Sequence, residues 1–172
     1  VTSTGSNPLG ISGRTVMATQ GIVALGSDNT ANYAYALNGG TLSAAGGGTR
    51  TVNAASTVSL NSASIIDLKD AALGGSANMG IAFGGVVSGP GNLTVAATGT
   101  GLGVLALSGS NVFTGTTTIV GGRLRVDSTG VLNTSARITV NGTAAEFKYN
   151  SATTLSAPVT LSQGVLSGTG TI

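Results

Sequence analysis

The chain has 172 residues, of which 29 are glycine and only 7% are charged, and its formal net charge is +2 at pH 7. It contains no cysteine and no histidine, which excludes thiol and imidazole chemistry and the usual ligand sets of zinc, haem and iron–sulfur centres. Its Lys and Arg residues are scattered, so nucleic acid is not expected as a partner. No apolar stretch approaches the roughly 20 residues that span a bilayer. We therefore expect no cofactor, no metal site and no membrane insertion by this segment.

Hydrophobic residues make up 41% of the chain, so its wealth of small residues does not indicate disorder. The length fits one domain. Because the chain begins at Val1 rather than at methionine, we expect a processed product or a piece of a longer protein.

Short runs that alternate apolar and polar residues predict half-buried β-strands along the whole chain. The segments between them are rich in Gly, Asn, Ser and Thr, which are turn residues. Helical periodicity is nearly absent, since the helix-friendly stretch at Asp70 to Leu73 ends at once on glycine. Strands alone would fit a β-sandwich equally well. In chain order, the predicted strands lie at Val16, Ile22 to Leu25, Thr41-Leu42, Val58 to Leu60, Ile66 to Lys69, Leu93 to Val95, Val104 to Leu107, Arg123 to Val126, Arg137 to Val140, Glu146 to Tyr149 and Val159 to Leu161.

An internal repeat decides between the sandwich and a solenoid. Its copies match at offsets of 79 to 82 residues, in the same order throughout. We interpret residues 1–20 as the tail of a preceding repeat, 21–102 as repeat one and 103–172 as most of repeat two, within one continuous β-solenoid segment over 1–172. The matched segments are 15–16 with 94–95, 21–25 with 103–107, 39–42 with 121–124, 58–61 with 138–141, 67–69 with 146–148 and 85–93 with 164–172.

The repeat is longer than the roughly 20 to 50 residues of one structural unit, so it contains several coils. Strand motifs lie near 20 residues apart, which predicts about 20 residues per coil, about four coils per repeat and some eight or nine coils in a rod about 40 Å long. Both ends of such a rod are open β-edges, which pair with another chain unless they are covered.

Residues 101–126 carry the most specific motif, reading GLGVLALSGSNVFTGTTTIVGGRLRV. This segment resembles the autotransporter passenger-associated β-strand repeat, whose pattern is G-x-L-x-L-S-G-x-N-x-[YF]-[TS]-G-x-T-x-[VI]-x-x-G-x-L-x-V. The first copy departs from the pattern, because Ser27 to Tyr33 lacks the Phe-Thr-Gly-Thr-Thr core. The resemblance implies a right-handed parallel β-helix from a very large bacterial surface or secreted protein, without shared catalytic residues.

Enzymes with this fold use paired carboxylates, so the acidic residues are the candidates for catalysis. As repeat equivalents, Asp67 and Glu146 are predicted to lie about four coils, or roughly 19 Å, apart, which is too far for a glycosidase pair. Asp67 and Asp70 beside Lys69 form the best remaining cluster, for which solvated charge is the simpler interpretation. The sequence therefore predicts no catalytic residue and no enzyme.

Three arginines are weak candidates for surface binding: Arg123, Arg125 and Arg137 would bind an acidic glycan or lipid headgroup if they shared one outer face. Solubilising charge is the simpler interpretation. Thr116 to Thr118 resembles the threonine arrays of ice-binding solenoids, but the aligned first copy has none. Stacked Asn111 or Asn141 side chains are candidates for ladders between coils.

The expected function is structural: a rigid extracellular stalk, or a segment of a self-assembling filament or surface layer. Its expected partners are itself, end to end, or flanking repeats of a longer chain. The alternative is an adhesin passenger stalk that binds a glycan or a host surface through its lateral face, and a polysaccharide lyase-like or hydrolase-like β-helix comes third. The expected location is extracellular or on the bacterial cell surface.

Overall fold

The computed structural model describes residues 2–3, 13–28, 30–44, 49–68, 80–98, 103–132 and 134–172. Within these ranges the regular secondary structure consists of β-strands, without helices. Each predicted run overlaps one of them, whereas the stretch from Asp70 to Leu73 lies outside the described residues. The strands are β1 (Thr2–Ser3), β2 (Thr15–Thr19), β3 (Ile22–Leu25), β4 (Ala34–Asn38), β5 (Thr41–Ala44), β6 (Thr49–Val52), β7 (Thr57–Leu60), β8 (Ser64–Asp67), β9 (Gly80–Phe83), β10 (Val87–Ser88), β11 (Leu93–Ala96), β12 (Val104–Leu107), β13 (Thr117–Ile119), β14 (Gly122–Ser128), β15 (Ile138–Ser151) and β16 (Val159–Gly168).

All pairings between these strands are parallel, and they stack into three faces of a β-solenoid. The first face runs β1-β3-β5-β8-β11-β13 and continues into the beginnings of β15 and β16. The second face runs β6-β9-β12-β14 and continues into the later parts of β15 and β16, and the third runs β2-β4-β7-β10. Because β15 bends from the first face to the second, those two faces form one 12-stranded sheet. Because the sheets of a β-sandwich are antiparallel, the parallel pairing excludes that fold.

Coils are longer and fewer than predicted, at about 23 residues each in about six turns. Register partners on the first face are 19 residues apart from Ile22 to Thr41 but 29 apart from Ile65 to Thr94. The connection from the first face to the second accounts for much of this variation, since 12 residues separate β8 from β9 and only two separate β13 from β14. From β3 to β16 the first face has seven strands and six spacings, which give a rod about 30 Å long rather than 40 Å.

The core consists of apolar columns that contribute one inward side chain per coil. Along the first face, consecutive register partners form a fully buried column of Leu42, Ile66, Val95, Ile119 and Val140. Along the second face, the equivalent column is Ile81, Leu105, Leu124 and Phe147. Each side chain packs against the coils above and below it, so stability depends on nearest-neighbour contacts along the rod.

The internal repeat does not return to the same face. Val23 lies on the first face and its counterpart Leu105 on the second, while Val58 lies on the third face and its counterpart Ile138 on the first. Each pair is separated by three coils and one face, so a repeat of about 80 residues spans three and one-third coils rather than four. All four side chains are buried, because every face requires the same alternation of inward and outward residues. The match between 85–93 and 164–172 departs from this pattern and moves from the third face to the second.

Buried polar side chains fasten neighbouring coils at their turns. The amide nitrogen of Asn111 donates to the carbonyls of Gly109 and Val131 at 2.8 and 3.1 Å, and its oxygen accepts from the backbone of Val87 at 3.1 Å. Asn111 thus bonds to the backbone of the coils on either side rather than to another asparagine. An amide pair between coils occurs instead on the third face, where Asn61 donates to Asn38 at 2.7 Å.

Candidate functional site: the charged second face

Charged side chains concentrate on the second face. Among the described strands, those of the third face carry no charge and those of the first carry only Asp67. On the second face, cross-strand neighbours place Arg123 beside Glu146 and Arg125 beside Lys148. The charged strand residues of this face are Arg50, Arg123, Arg125, Asp127, Glu146 and Lys148.

Glu146 links three successive strands of this face. Its Oε2 pairs with Nη2 of Arg123 on β14 at 2.5 Å, and its Oε1 accepts a hydrogen bond from Ser167 on β16 at 2.6 Å. A second ion pair joins Arg125 to Asp127 on β14, and Asn150 on β15 donates to Asp127 at 3.2 Å. The arrangement is a polar ladder that fastens the last coil to the one before it.

The environment of Glu146 lowers the pKa of its carboxyl group. Burial by itself would raise the pKa, because it penalises the charged form. The hydrogen bonds from Ser167 and Arg123, together with the positive charges of Arg123 and Lys148, outweigh that effect. Folding therefore favours the ionised carboxylate.

We expect Glu146→Gln to lower the free energy of unfolding at neutral pH by at most about 1 kcal/mol, because the pair is partly exposed. Since the folded pKa lies below the unfolded one, ionised Glu146 stabilises the fold above the unfolded pKa, and this contribution is lost as the pH falls through the folded pKa. Urea unfolding of both proteins from neutral to acidic pH measures the difference, which should shrink towards zero in acid. A difference that stays constant would contradict the ladder.

The structure does not bring the three candidate arginines together. Arg123 and Arg125 are neighbours on the outer side of β14, but each is held in an ion pair. Arg137 lies beside the first face, where its carbonyl accepts from the backbone of Thr117 at 2.8 Å. The expectation of one shared outer face fails because the strand register moves Arg137 to a different side of the rod.

The acidic candidates are also dispersed. Asp67 lies on the first face and Glu146 on the second, three coils and one face apart rather than the predicted four coils. Asp67 is 7% exposed and accepts from the backbone nitrogen and hydroxyl of Thr98 at 3.1 and 2.8 Å. Lys69 and Asp70, the rest of that cluster, lie outside the described residues. Within the described part of the chain, no three His, Cys, Asp or Glu residues lie together as a metal site.

Sequence reasoning missed a column of threonines on the outer side of the first face. Thr94, Thr118, Thr139 and Thr160 are consecutive register partners. The available signal was the second position of β11, β13, β15 and β16, where threonine precedes an inward Val, Ile or Leu. The aromatic side chains are all inside the rod, being Tyr33, Tyr35, Phe83, Phe113, Phe147 and Tyr149.

Comparison of the chain with protein-family models, with curated proteins and with solved structures finds no match. Across the described ranges, no helix has the length and apolar character needed to cross a membrane.

Proposed function

We propose that this chain is a non-catalytic structural segment, a rigid spacer in a stalk or filament that extends by pairing its ends with further coils of the same kind. The observation that carries the proposal is the edge of β16. This strand pairs with β15 on one side, and its other side has no strand partner among the described residues.

The apolar columns of the core continue to this edge. Leu161 follows Val140, and Leu166 follows Phe147, as the next register partner in each column. Leu161 is 51% exposed and Leu166 is 39% exposed, whereas Val140 and Phe147 are fully buried. An unpaired strand with exposed apolar side chains in the inward columns fits another coil, which supplies both backbone hydrogen bonds and apolar contacts. That coil would come from a second copy or from a flanking repeat.

A non-catalytic role is supported by the state of the carboxylates. Each acidic residue in the described part of the chain accepts a hydrogen bond from a protein group, which satisfies it structurally. Catalytic carboxylates act in pairs that flank a substrate. Here Asp67 and Glu146 belong to different faces, so a lyase-like or hydrolase-like function has little support.

We further propose a place outside the cell, on a bacterial surface or in its secreted material. This rests on the resemblance of residues 101–126 to the autotransporter repeat, and within that range the described residues form β12, β13 and β14. The adhesin alternative has weaker support, because Arg123 and Arg125 are ion-paired and the aromatic rings that stack on sugars are buried.

Small-angle X-ray scattering of the purified chain over a concentration series tests end-to-end pairing. We expect the maximum dimension to grow beyond the roughly 30 Å of a single rod while the cross-section stays constant. The double variant Leu161→Lys/Leu166→Lys should stop this growth, because both charges would have to be buried at the junction.

Ser59→Lys/Ser88→Lys is the matched control, since it adds the same charge at adjacent register positions on the third face, and it should elongate normally. Single rods at every concentration would rule out assembly through the ends. Elongation that survives in the Leu161/Leu166 variant would place the junction away from β16.

A further inference from the structure

Two asparagines of the chain are followed by glycine, Asn38 and Asn141. In this dipeptide the backbone nitrogen of the glycine lies close to the side-chain amide carbon of the asparagine, and no Cβ on the glycine shields it. The nitrogen can therefore attack that carbon and close a five-membered succinimide ring. Ring closure requires a backbone that is able to leave regular strand geometry, so the fold determines which of the two sites reacts.

Asn141 begins a bulge of β15 at the corner between the first and second faces. Four residues of β15 follow Asn141 before the next register partner, whereas a single residue separates the corresponding partners Gln163 and Val165 on β16. On the side of the preceding coil, four residues of β15 lie opposite the two residues between β13 and β14. Residues 141–144 are therefore out of ladder register with both neighbouring coils.

The side chain of Asn141 is not held in place by the fold. Asn141 is exposed, and its amide makes no hydrogen bond to any residue that the structure describes. The ladder between coils for which Asn141 was a candidate is thus absent from the described part of the chain. The amide is free to turn towards the nitrogen of Gly142.

Asn38, in contrast, is held in regular pairing. It is the last residue of β4 and the register partner of Thr19 on β2. Its side-chain oxygen accepts a hydrogen bond from the amide of Asn61 in the next coil at 2.7 Å. The amide carbon of Asn38 can reach the nitrogen of Gly39 only after these contacts break.

We propose that Asn141 is a self-modification site, at which the backbone nitrogen of Gly142 displaces the side-chain amide and water converts the product to aspartate and isoaspartate. A bond forms between that nitrogen and Cγ of Asn141, and the amide leaves as ammonia together with the proton of the attacking nitrogen. Water then opens the ring at either carbonyl. Opening at Cγ gives aspartate in a normal backbone, whereas opening at the main-chain carbonyl gives isoaspartate, whose backbone runs through the former side chain.

The modification changes the corner where it occurs. Both products add one negative charge to a chain whose formal net charge is +2. Isoaspartate also lengthens the main chain by one carbon at a point where β15 pairs with β16 on either side, so we expect it to loosen the last coil. This inference goes beyond the structural role and does not depend on end-to-end pairing, because a single rod contains the whole site.

Peptide mass spectrometry of the folded chain, kept in mildly alkaline buffer without any other protein, tests the proposal. We expect Asn141 to react at least about tenfold faster than Asn38, because local opening of the third face must precede reaction at Asn38. Aspartate and isoaspartate should both form, and the rate should rise with pH, because the attacking nitrogen must lose its proton. In urea, where the fold is lost, the two sites should react at similar rates.

Two variants serve as matched controls. Asn141→Gln should abolish modification at this position and leave Asn38 unchanged, because glutamine would have to close a larger and less favourable ring. Asn38→Gln should leave the rate at Asn141 unchanged. Gly142→Ala is unsuitable, because a Cβ there would lie 2.1 Å from the carbonyl oxygen of Val120 and would disturb the fold.

Equal rates at Asn38 and Asn141 in the folded chain would overturn the proposal. So would the formation of aspartate without isoaspartate, which would indicate direct hydrolysis of the amide. Hydrogen exchange in β16 tests the structural consequence and should be faster in the isoaspartate-containing protein than in fresh protein. Asn141→Asp, which adds the charge without the extra backbone carbon, should exchange like fresh protein. Unchanged exchange in the isoaspartate form would contradict the loosening of the last coil.

Discussion

Gly85→Ala is expected to destabilise the protein by about 3 kcal/mol, the upper range for inserting one methyl group into a tight contact. A Cβ at Gly85 would lie 1.8 Å from the carbonyl oxygen of Ser56 and 2.9 Å from that of Ala54. Both are backbone atoms of the preceding coil, so no side chain can rotate away and the coils must separate. Urea or thermal unfolding measures the loss.

Gly21→Ala is the matched control, because the nearest atom to a Cβ there is the carbonyl oxygen of Thr19 at 3.8 Å. It should change the free energy of unfolding by less than about 0.5 kcal/mol. Equal effects at the two positions would show that the coils near Gly85 are not in close backbone contact.

Phe147→Ala should cost about 3–5 kcal/mol, as expected for removing a buried ring and leaving a cavity. Phe147 is fully buried within the second-face column, between Leu124 and Leu166. Its ring centroid lies 6.1 Å from that of Tyr149. Because each coil is stabilised by its neighbours, hydrogen exchange should accelerate first in β14, β15 and β16. Exchange near β4 and β5 should change least.

Leu166→Ala removes the next residue of the same column and should cost less than about 1 kcal/mol, because Leu166 is partly exposed. The comparison is made at a concentration where the rods are single. If both variants lost equal stability there, the last coil would be packed as deeply as the interior, contrary to an open edge at β16.

The strands and their parallel stacking could be predicted because alternation and the internal repeat are both written in the order of residues. The run from Arg123 to Val126 alternates strictly and forms part of β14. β4 was missed although Tyr35 and Leu37 alternate there, because alanines occupy the outward positions. β6 has a weaker alternation of apolar and polar residues, since its four residues are Thr, Arg, Thr and Val.

Coil length could not be predicted from strand motifs alone. It depends on how many residues the corner between the first and second faces holds, and this number differs between β8–β9 and β13–β14. Because coils of about 23 residues rather than about 20 fit fewer times into the repeat, the repeat spans three and one-third coils instead of the predicted four. The repeat therefore predicted a stack of equivalent positions where the rod places them on neighbouring faces.

The polar ladder depends on the same register. Arg123 and Glu146 are 23 residues apart, and only the true coil length makes them neighbours. Arg137 was grouped with Arg123 and Arg125 by its position in the chain, yet three faces divide nearby residues among different sides. The threonine column was missed for the converse reason, since its members are far apart in sequence and meet only through coil pairing.

The rotation of the repeat by one-third of a turn has a consequence for how a tandem array meets its surroundings. A feature that occurs once per repeat would appear on each of the three sides in turn and return to the first side after three repeats, or about ten coils. At about 4.8 Å per coil this is a vertical distance of about 48 Å. The recurring features of such an array would follow a helical path around the rod and would face neighbours on all three sides. A flat partner surface on one side would contact the feature of only one repeat in three.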